Sequence, residues 1–160
     1  MARTVATASS VELADLLDFV RTRHQMILLT SRSDGSPQMS PVTAGVDVDG
    51  RIVIATYPGR AKTANAKRNP QVSVCVLSEK FGDAWVQVDG TAEVFDMPEA
   101  EDGLVDYFRS IAGEHSDWDE YRAAMRFQNK SLIRITPTRW GPIATGGFPA
   151  DVAERLDAAE

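Results

Sequence analysis

Six segments of the chain are predominantly hydrophobic and predict β-strands, and alternation with polar residues indicates a strand with one buried face. The clearest example is Trp85-Val-Gln-Val-Asp89, where apolar side chains occupy every second position. Two turn signals, Ser33-Asp34-Gly35-Ser36 and Asp49-Gly50, separate the early segments, and the Asp-Gly pair is typical of a tight hairpin. The pattern predicts strands over 25–30, 37–48, 51–57, 71–77, 84–95 and 131–136.

A helical spacing of apolar residues replaces this alternation elsewhere. Residues 11–20 predict a first helix, with Ser9 or Ser10 as its N-cap. Residues 60–69 predict a short helix that ends before Pro70, because proline disfavours helical backbone in the preceding residue. The other predicted segments are a helix over 97–126 with a break near 113–117, a glycine-rich loop over 141–149 and one closing helical turn over 151–156.

These elements predict a mainly β fold with helices, an α+β arrangement built on a six-stranded antiparallel barrel. Most successive strands are joined by hairpin-length connections, and the helices are expected to pack outside the barrel. A parallel sheet is disfavoured because only one strand-helix-strand unit is evident, at the short helix 60–69. The length of 160 residues suits one domain over 1–160, with a core over 10–140 and a tail over 141–160.

Composition narrows the classes of function. The formal net charge of −6 argues against nucleic-acid binding, which needs a basic face. No apolar run approaches the roughly 20 residues of a membrane span. Residues 1–10 lack the apolar core of a secretory signal, which predicts a cytoplasmic protein. The single cysteine, Cys75, excludes an internal disulfide and is expected to be a small core residue.

The residues that usually carry catalysis are sparse in this chain. His24 and His115 have no ligand-spaced partners, so the sequence predicts no metal site. His115, Ser116 and Asp117 are consecutive, and adjacent residues in one turn cannot adopt the geometry of a catalytic triad. Ser116 or Asp117 is instead expected to cap the following helix. We therefore predict no catalytic side chain, and any reaction is expected to come from a bound cofactor.

Positive charge at the start of the helix 60–69 is the most informative local feature. Arg60 and Lys62 follow Pro58-Gly59 and face the positive end of the helix dipole. Cations at that end cost a few tenths to about 1 kcal/mol. A bound phosphate or carboxylate would offset this cost, because it can accept hydrogen bonds from both cations and from the exposed helix amides. The alternative is a solvated helix start.

Other candidate residues each have two interpretations. Gln38 and Ser40 share one face of a strand, and they are either solvated or in contact with a polar ligand. Trp85 on its alternating strand is either a core residue or a cofactor contact. Trp140 and Phe148 either roof a substrate pocket or pack a tail.

Three segments in this order resemble a known superfamily. They are Gly35-Ser-Pro-Gln-Met-Ser-Pro-Val42, Arg60-Ala61-Lys62-Thr63 and Ile111-Ala-Gly-Glu-His-Ser-Asp-Trp-Asp-Glu-Tyr121. Together they are similar to the flavin- and deazaflavin-dependent oxidoreductases with the pyridoxamine 5′-phosphate oxidase-like split β-barrel, an FMN-binding fold. The likeness is strongest to the branch that uses the deazaflavin coenzyme F420, and it covers roughly residues 10–140.

The resemblance implies a homodimer with each cofactor in a groove at the subunit interface. By position, Arg60, Ala61, Lys62 and Thr63 would hold the cofactor phosphate and the start of its acidic tail. The other positions that it implies in cofactor binding are Gln38, Met39, Ser40 and Pro41 along the ring, backbone groups of Ala55 and Thr56 at the ring edge, Trp85 beside the cofactor and Lys130 from the partner subunit.

The chain departs from the family pattern at Pro41, where asparagine is common, so a side-chain amide and a backbone donor are lost. The function implied is hydride transfer from reduced F420 to a small, conjugated organic substrate. One alternative is an FMN-dependent flavoprotein like pyridoxamine 5′-phosphate oxidase. Another is a protein that holds a cofactor or tetrapyrrole without turnover. Arg60 and Lys62 do not choose between F420 and FMN, because both cofactors carry a phosphate.

Overall fold

The computed structural model describes residues 3–159, and in this part of the chain β-strands alternate with five helices. The strands are β1 (Thr7–Ser9), β2 (Gln25–Ser31), β3 (Pro37–Val46), β4 (Ile52–Thr56), β5 (Gln71–Leu77), β6 (Val86–Phe95), β7 (Ser131–Trp140) and β8 (Ile143–Thr145). The helices are α1 (Leu13–Arg21), α2 (Ala61–Arg68), α3 (Glu101–Ala112), α4 (Trp118–Phe127) and α5 (Ala150–Asp157).

Six strands close a barrel in the order β2-β3-β4-β7-β6-β5, and every neighbouring pair is antiparallel. The predicted six-stranded antiparallel barrel is therefore confirmed. Its interior is filled by aliphatic side chains from alternate strand positions, such as Leu28, Ile54 and Ile135, and α1 adds Leu16 and Val20. This packing explains the alternation along β2, β5 and β6, which bury one face, whereas β4 and the first half of β7 bury residues on both faces.

A second, smaller cluster lies outside the barrel under α3 and α4. Leu104 and Tyr121 pack there against Val53 and Leu132, which face outward from β4 and β7. The Tyr121 hydroxyl donates to the carbonyl oxygen of Leu104 over 2.7 Å. Burial, followed by the neighbouring Tyr107, raises the pKa of Tyr121 to about 12.

The two predicted helix caps have different outcomes. Asp117 caps α4, and its side chain accepts a hydrogen bond from the amide of Glu120 over 3.1 Å, as the sequence predicts. The prediction of Ser9 or Ser10 as the cap of α1 is wrong. The N-cap is Glu12, which makes no side-chain cap bond, and Ser9 belongs to β1.

The prediction that the last barrel strand ends at Pro137 is also wrong, because β7 continues to Trp140. The pairing of β6 with β7 shifts register between Asp89 and Gly90, and Gly90 lies opposite Pro137. A β-bulge tolerates a residue that lacks an amide hydrogen, since the regular ladder is already interrupted there. The bulge thus absorbs the proline and lets the strand proceed.

The segment predicted as a loop over 141–149 contains the short strand β8. It pairs with β1 to form a two-stranded ribbon beside the barrel, and the helix predicted near 151–156 is α5. Trp140 packs against the barrel core, and its indole N–H donates to the carbonyl oxygen of Val11 over 2.8 Å. Trp140 also lines a surface cleft of about 320 Å³ with Trp85, Gln87 and Arg139. Within residues 3–159, no helix has the length and apolar character needed to cross a bilayer.

Candidate functional site

The candidate site is built where β4 ends and α2 begins. The chain leaves β4 at Thr56, turns through Pro58-Gly59, and enters α2 with Arg60 as an extended N-cap residue. The Thr63 side chain is fully buried; its hydroxyl donates to the Tyr57 carbonyl oxygen over 2.8 Å and lies 3.1 Å from the Thr56 hydroxyl. These contacts fix the first turn of α2 on the barrel. They also hold the Thr63 hydroxyl away from the surface where Arg60 is exposed.

Three cations surround Tyr57 or the start of α2. The guanidinium carbon of Arg60 lies 5.8 Å from the centroid of the Tyr57 ring, and the Lys130 amine lies 4.0 Å from the same centroid. Lys62 is half-buried one helical position beyond Ala61. Among residues 3–159, no carboxylate pairs with Arg60, Lys62 or Lys130, although the chain as a whole is acidic. Their charge is therefore available to a ligand.

The backbone at the start of α2 adds two donors. The amides of Ala61 and Lys62 have no hydrogen-bond partner in the described part of the chain, and the Arg60 side chain makes no cap bond. Burial, and then the nearby Arg60 charge, lower the pKa of the Lys62 amine from its ordinary value. An anion bound here would relieve that repulsion. The donor set of unpaired cations and free helix amides fits a phosphate group.

A chain of polar side chains closes the barrel end beneath α2. Arg68 donates twice to the Asn65 side-chain oxygen, over 3.2 and 2.9 Å. The Asn65 amide donates to the Thr30 hydroxyl over 3.1 Å, and that hydroxyl donates to the Gln38 side-chain oxygen over 2.9 Å. Asn65 and Thr30 are buried. This network joins α2 to β2 and β3, and its hydrogen bond from Thr30 holds the Gln38 side chain at the barrel end.

The four residues of β3 that the resemblance assigns to the cofactor ring divide between the two faces of the strand. Ser40 lies opposite Leu28 and faces inward with Gln38, and its hydroxyl is buried with no hydrogen-bond partner in the described residues. Met39 and Pro41 face outward, and 62% of Met39 is exposed. Of these four residues, only Met39 and Pro41 have side chains on the outer surface of the barrel.

The barrel is split between β3 and β4. These strands pair only from Ala44–Ile54 to Val46–Ile52, so the first part of β3 has no partner on that side. The β3-facing edge of Ala55 and Thr56 is consequently free of ladder hydrogen bonds, while the Thr56 side chain is buried. Backbone groups of these two residues, rather than their side chains, are available at the split.

Trp85 lies on the outer surface away from the three cations. Its amide and carbonyl exchange hydrogen bonds of 2.9 and 3.0 Å with Ala144 of β8, and 40% of the residue is exposed. It lines an apolar pocket of about 530 Å³ whose wall contains neither Arg60 nor Lys130. Other residues that line this pocket are Ile27, Cys75, Leu77 and Phe81. Burial raises the pKa of the Cys75 thiol.

The structure thus brings Arg60 and Lys130 to the Tyr57 ring, and Ala61 and Lys62 follow Arg60 in the first turn of α2. Tyr57 is the residue that sequence reasoning missed. Its position at the end of a predicted strand, directly before Pro58-Gly59, was its only signal.

The two histidines are occupied in local contacts. A ring nitrogen of His24 lies 2.9 Å from the Ala44 carbonyl oxygen, and His115 accepts a hydrogen bond from the Asp117 amide over 2.9 Å. No group of three or more metal-ligating side chains occurs within residues 3–159. In these contacts neither histidine is joined to a serine hydroxyl, so the consecutive His115, Ser116 and Asp117 do not form a triad.

Comparison with known proteins assigns the family. The family model for pyridoxamine 5′-phosphate oxidase matches residues 14–144, which include the whole barrel and the start of α2. The chain belongs to this family. Membership in the pyridoxamine 5′-phosphate oxidase family agrees with the split barrel, and the resemblance predicted from the three sequence segments is confirmed.

A family relative named F420H(2)-dependent biliverdin reductase, from Mycobacterium tuberculosis (strain CDC 1551 / Oshkosh), is 36% identical over 83 residues. The match spans 50% of this chain and 57% of that protein.

Two solved structures share the fold. A conserved hypothetical protein of Mycobacterium tuberculosis has a TM-score of 0.69 at 24% identity, covering 88% of this chain and 89% of its own. A structure named F420 reductase has a TM-score of 0.57 at 21% identity, covering 77% and 94%.

Proposed function

We propose that this protein is an F420-dependent reductase that transfers hydride from the reduced deazaflavin to a small, conjugated organic substrate. The observation that carries the proposal is the unpaired positive charge of Arg60, Lys62 and Lys130 beside free amides at the start of α2. Such a donor set recognises a phosphate, and the relative named F420H(2)-dependent biliverdin reductase favours the deazaflavin.

Each residue of the site has a distinct role in this proposal. Arg60 and Lys62 bind the cofactor phosphate together with the amide of Ala61. Lys130 adds a third charge from the turn before β7, which suits the acidic tail of F420 better than the single phosphate of FMN. Thr63 acts from below, because its buried hydroxyl fixes the helix start rather than contacting the ligand.

The bound deazaflavin supplies the hydride. The protein contributes by orienting the ring and excluding water from one of its faces, which lowers the entropic cost of reaching the reactive geometry. Met39 and Pro41 offer an apolar outer surface, and Ala55 and Thr56 offer free backbone groups at the split between β3 and β4. We assign no proton donor to the chain, and solvent supplies the proton.

The proposal includes a homodimer in the cytoplasm. The outer face of the barrel carries partly exposed apolar residues on neighbouring strands, such as Ile27, Met39 and Trp85. The register places Ile27 opposite both Pro41 and Cys75, so this apolar surface is continuous across β3, β2 and β5. A second copy covering this face would bury it and would form a groove that could hold the cofactor ring.

FMN is the alternative cofactor, because the family model is that of pyridoxamine 5′-phosphate oxidase and FMN also presents a phosphate to Arg60 and Lys62. A carrier that binds cofactor or tetrapyrrole without turnover is the third candidate. In a single-turnover experiment with reduced F420 and biliverdin, a quinone or another conjugated acceptor, loss of the reduced cofactor's spectrum on mixing would exclude the carrier.

The deciding experiment is a titration of the purified protein with oxidised F420 and, separately, with FMN, followed by tryptophan fluorescence. We expect saturable micromolar binding of F420 and weak binding of FMN. Lys62→Ala should weaken F420 binding by about 1.5–3 kcal/mol, the scale of a charge-assisted hydrogen bond. Arg155→Ala, which removes an exposed cation paired with Asp151, is the control. Unchanged affinity in Lys62→Ala would contradict the assigned anion site.

A further inference from the structure

Tyr57 lies beside two of the three cations of the site. They are Lys130 and Arg60, the N-cap residue of α2. Lys130 lies over the Tyr57 ring at 4.0 Å and Arg60 at 5.8 Å, both measured to the ring centroid. The Tyr57 hydroxyl donates to the Gln128 side-chain oxygen over 3.4 Å. The residue therefore joins the end of β4 to the start of α2 and to the turn between α4 and β7.

The turn that carries Lys130 has a defined conformation. Asn129 adopts a left-handed backbone with φ of 52°, and the Lys130 amide donates to the Met125 carbonyl oxygen over 3.1 Å. In this geometry the Lys130 amine lies against Tyr57, just beyond the end of β4, and no carboxylate among the described residues pairs with it. The only interaction that the structure gives the Lys130 amine within residues 3–159 is the Tyr57 ring.

Two cations drawn to one ring repel each other, and the negative face of an aromatic ring offsets part of that repulsion. Without the ring, long flexible side chains such as Arg60 and Lys130 would separate into solvent and lose entropy again when an anion binds. The ring thus keeps both charges at the junction between β4 and α2 before the ligand arrives.

We propose that Tyr57 is a positioning residue that holds Arg60 and Lys130 at a single anion-binding site. The inference rests on the proposed function, since that function supplies the anion. In this proposal the aromatic ring of Tyr57, and not its hydroxyl, increases the affinity for a ligand with more than one negative group.

The test compares Tyr57→Phe and Tyr57→Leu by titration with F420 at low and at physiological salt. Tyr57→Phe keeps the ring and should bind within about twofold of the wild type. Tyr57→Leu should bind about three- to tenfold more weakly, with a smaller dependence of affinity on salt. Phe19→Leu is the matched control, because it removes a ring that Arg23 covers at 3.6 Å on α1. Thermal unfolding of each variant verifies that it folds.

A double-mutant cycle with Lys130→Gln separates positioning from general stability. Once Lys130 is neutral, Tyr57→Leu should cost clearly less affinity than it does in the wild type. Additive losses would overturn the proposal, and so would a Tyr57→Leu variant that binds F420 as tightly as wild type. If Tyr57→Leu fails to fold, the Phe variant carries the test. Weak F420 binding by Tyr57→Phe would overturn the proposal. The proposal would also be overturned if Lys130→Gln weakened F420 binding less in the Tyr57→Phe variant than in the wild type.

Failure of the proposed function is recognised separately. A wild type that binds FMN or inorganic pyrophosphate, but not F420, would contradict the deazaflavin assignment, and the same variants are then measured with the anion that binds. A wild type that binds none of the three would overturn both proposals. Normal F420 binding in the wild type together with an unaffected Tyr57→Leu variant would overturn only the role of Tyr57.

Discussion

The hydroxyl of Thr63 donates to the carbonyl oxygen of Tyr57 over 2.8 Å, so a side chain on the first turn of α2 determines how that helix leaves β4. The Thr63 side chain is fully buried, while Tyr57 is partly exposed at the surface. The same two residues therefore connect the fold to the anion site, since Thr63 fixes the helix and Tyr57 contacts its N-cap cation.

Replacing Thr63 by valine keeps the shape of the side chain and removes the hydroxyl. We expect Thr63→Val to lower the free energy of unfolding by about 1–2 kcal/mol, because the Tyr57 carbonyl and the Thr56 hydroxyl lose a buried partner. Urea unfolding measures the change. Thr63→Ser retains the hydroxyl and is the control; a valine variant as stable as wild type would show that the bond contributes nothing net.

The pKa of Lys62 sets an alkaline limit on anion binding. Burial and the Arg60 charge lower this pKa in the free protein, and an anion binds the protonated amine. Affinity for F420 should therefore fall as the pH rises through the lowered pKa, at a lower pH than an ordinary lysine would give. Lys62→Arg keeps its charge across this range and should abolish that loss. An identical alkaline profile in both proteins would assign the loss to another group.

Asp96 links the end of α2 to the start of β7. It pairs with Lys67 and accepts a hydrogen bond from the buried Ser131 hydroxyl over 2.5 Å, and these two bonds lower its pKa. A carboxyl with a lowered folded-state pKa stabilises the fold above its unfolded-state pKa and loses that contribution as the pH falls through the folded-state value.

In Asp96→Asn we expect the acid part of the stability curve to be flatter than in wild type. The loss at neutral pH should be at most about 1 kcal/mol, because the pair with Lys67 is partly exposed. Thermal unfolding measured from neutral to acid pH tests this. Asp151→Asn, which removes the carboxylate from an exposed pair with Arg155, is the control.

Gly90 permits the close approach of β6 and β7 at the bulge. A Cβ atom at this position would lie 2.6 Å from the Thr136 carbonyl oxygen and 2.5 Å from a methyl carbon of Ile135. We expect Gly90→Ala to cost about 1–3 kcal/mol through overpacking. Gly141→Ala meets no atom within 4 Å and should be near neutral. Equal unfolding midpoints for the two variants would mean that β6 and β7 accommodate the added methyl group at Gly90 without loss of stability.

The hydrophobic pattern was sufficient to find the barrel strands, because each of them buries at least one face against the same core. It was insufficient for β1 and β8, which have three residues each and whose hydrogen-bonded partners lie far away in the sequence. The premature end of β7 at Pro137 has a related cause. Proline normally ends a central strand, and only the facing bulge at Gly90, which the sequence pattern does not reveal, removes that restriction.

The site was predictable in part for similar reasons. Arg60 and Lys62 were recognised because local chemistry makes cations at a helix start unfavourable without an anion. Alternation correctly placed Gln38 and Ser40 on one face, but it carries no information on which face turns inward. The meeting of Lys130 with Tyr57 depends on the left-handed turn at Asn129 and on the antiparallel pairing of β4 with β7, and neither is a spacing along the chain.

The ribbon of β1 and β8 has a consequence for motion. Three ladder pairs join β1 to β8, the bridges Val5–Phe148 and Trp85–Ala144 extend the ribbon, and its paired residues lie far apart in the sequence, as in the contact between Thr7 and Thr145. Such a ribbon is expected to detach by local unfolding while the closed barrel persists, so its amides should exchange with deuterium sooner than those of β2 or β5. The backbone of Trp85 is hydrogen-bonded to Ala144 in this ribbon, and Trp85 lines the apolar pocket. The pocket should therefore open transiently when the ribbon detaches.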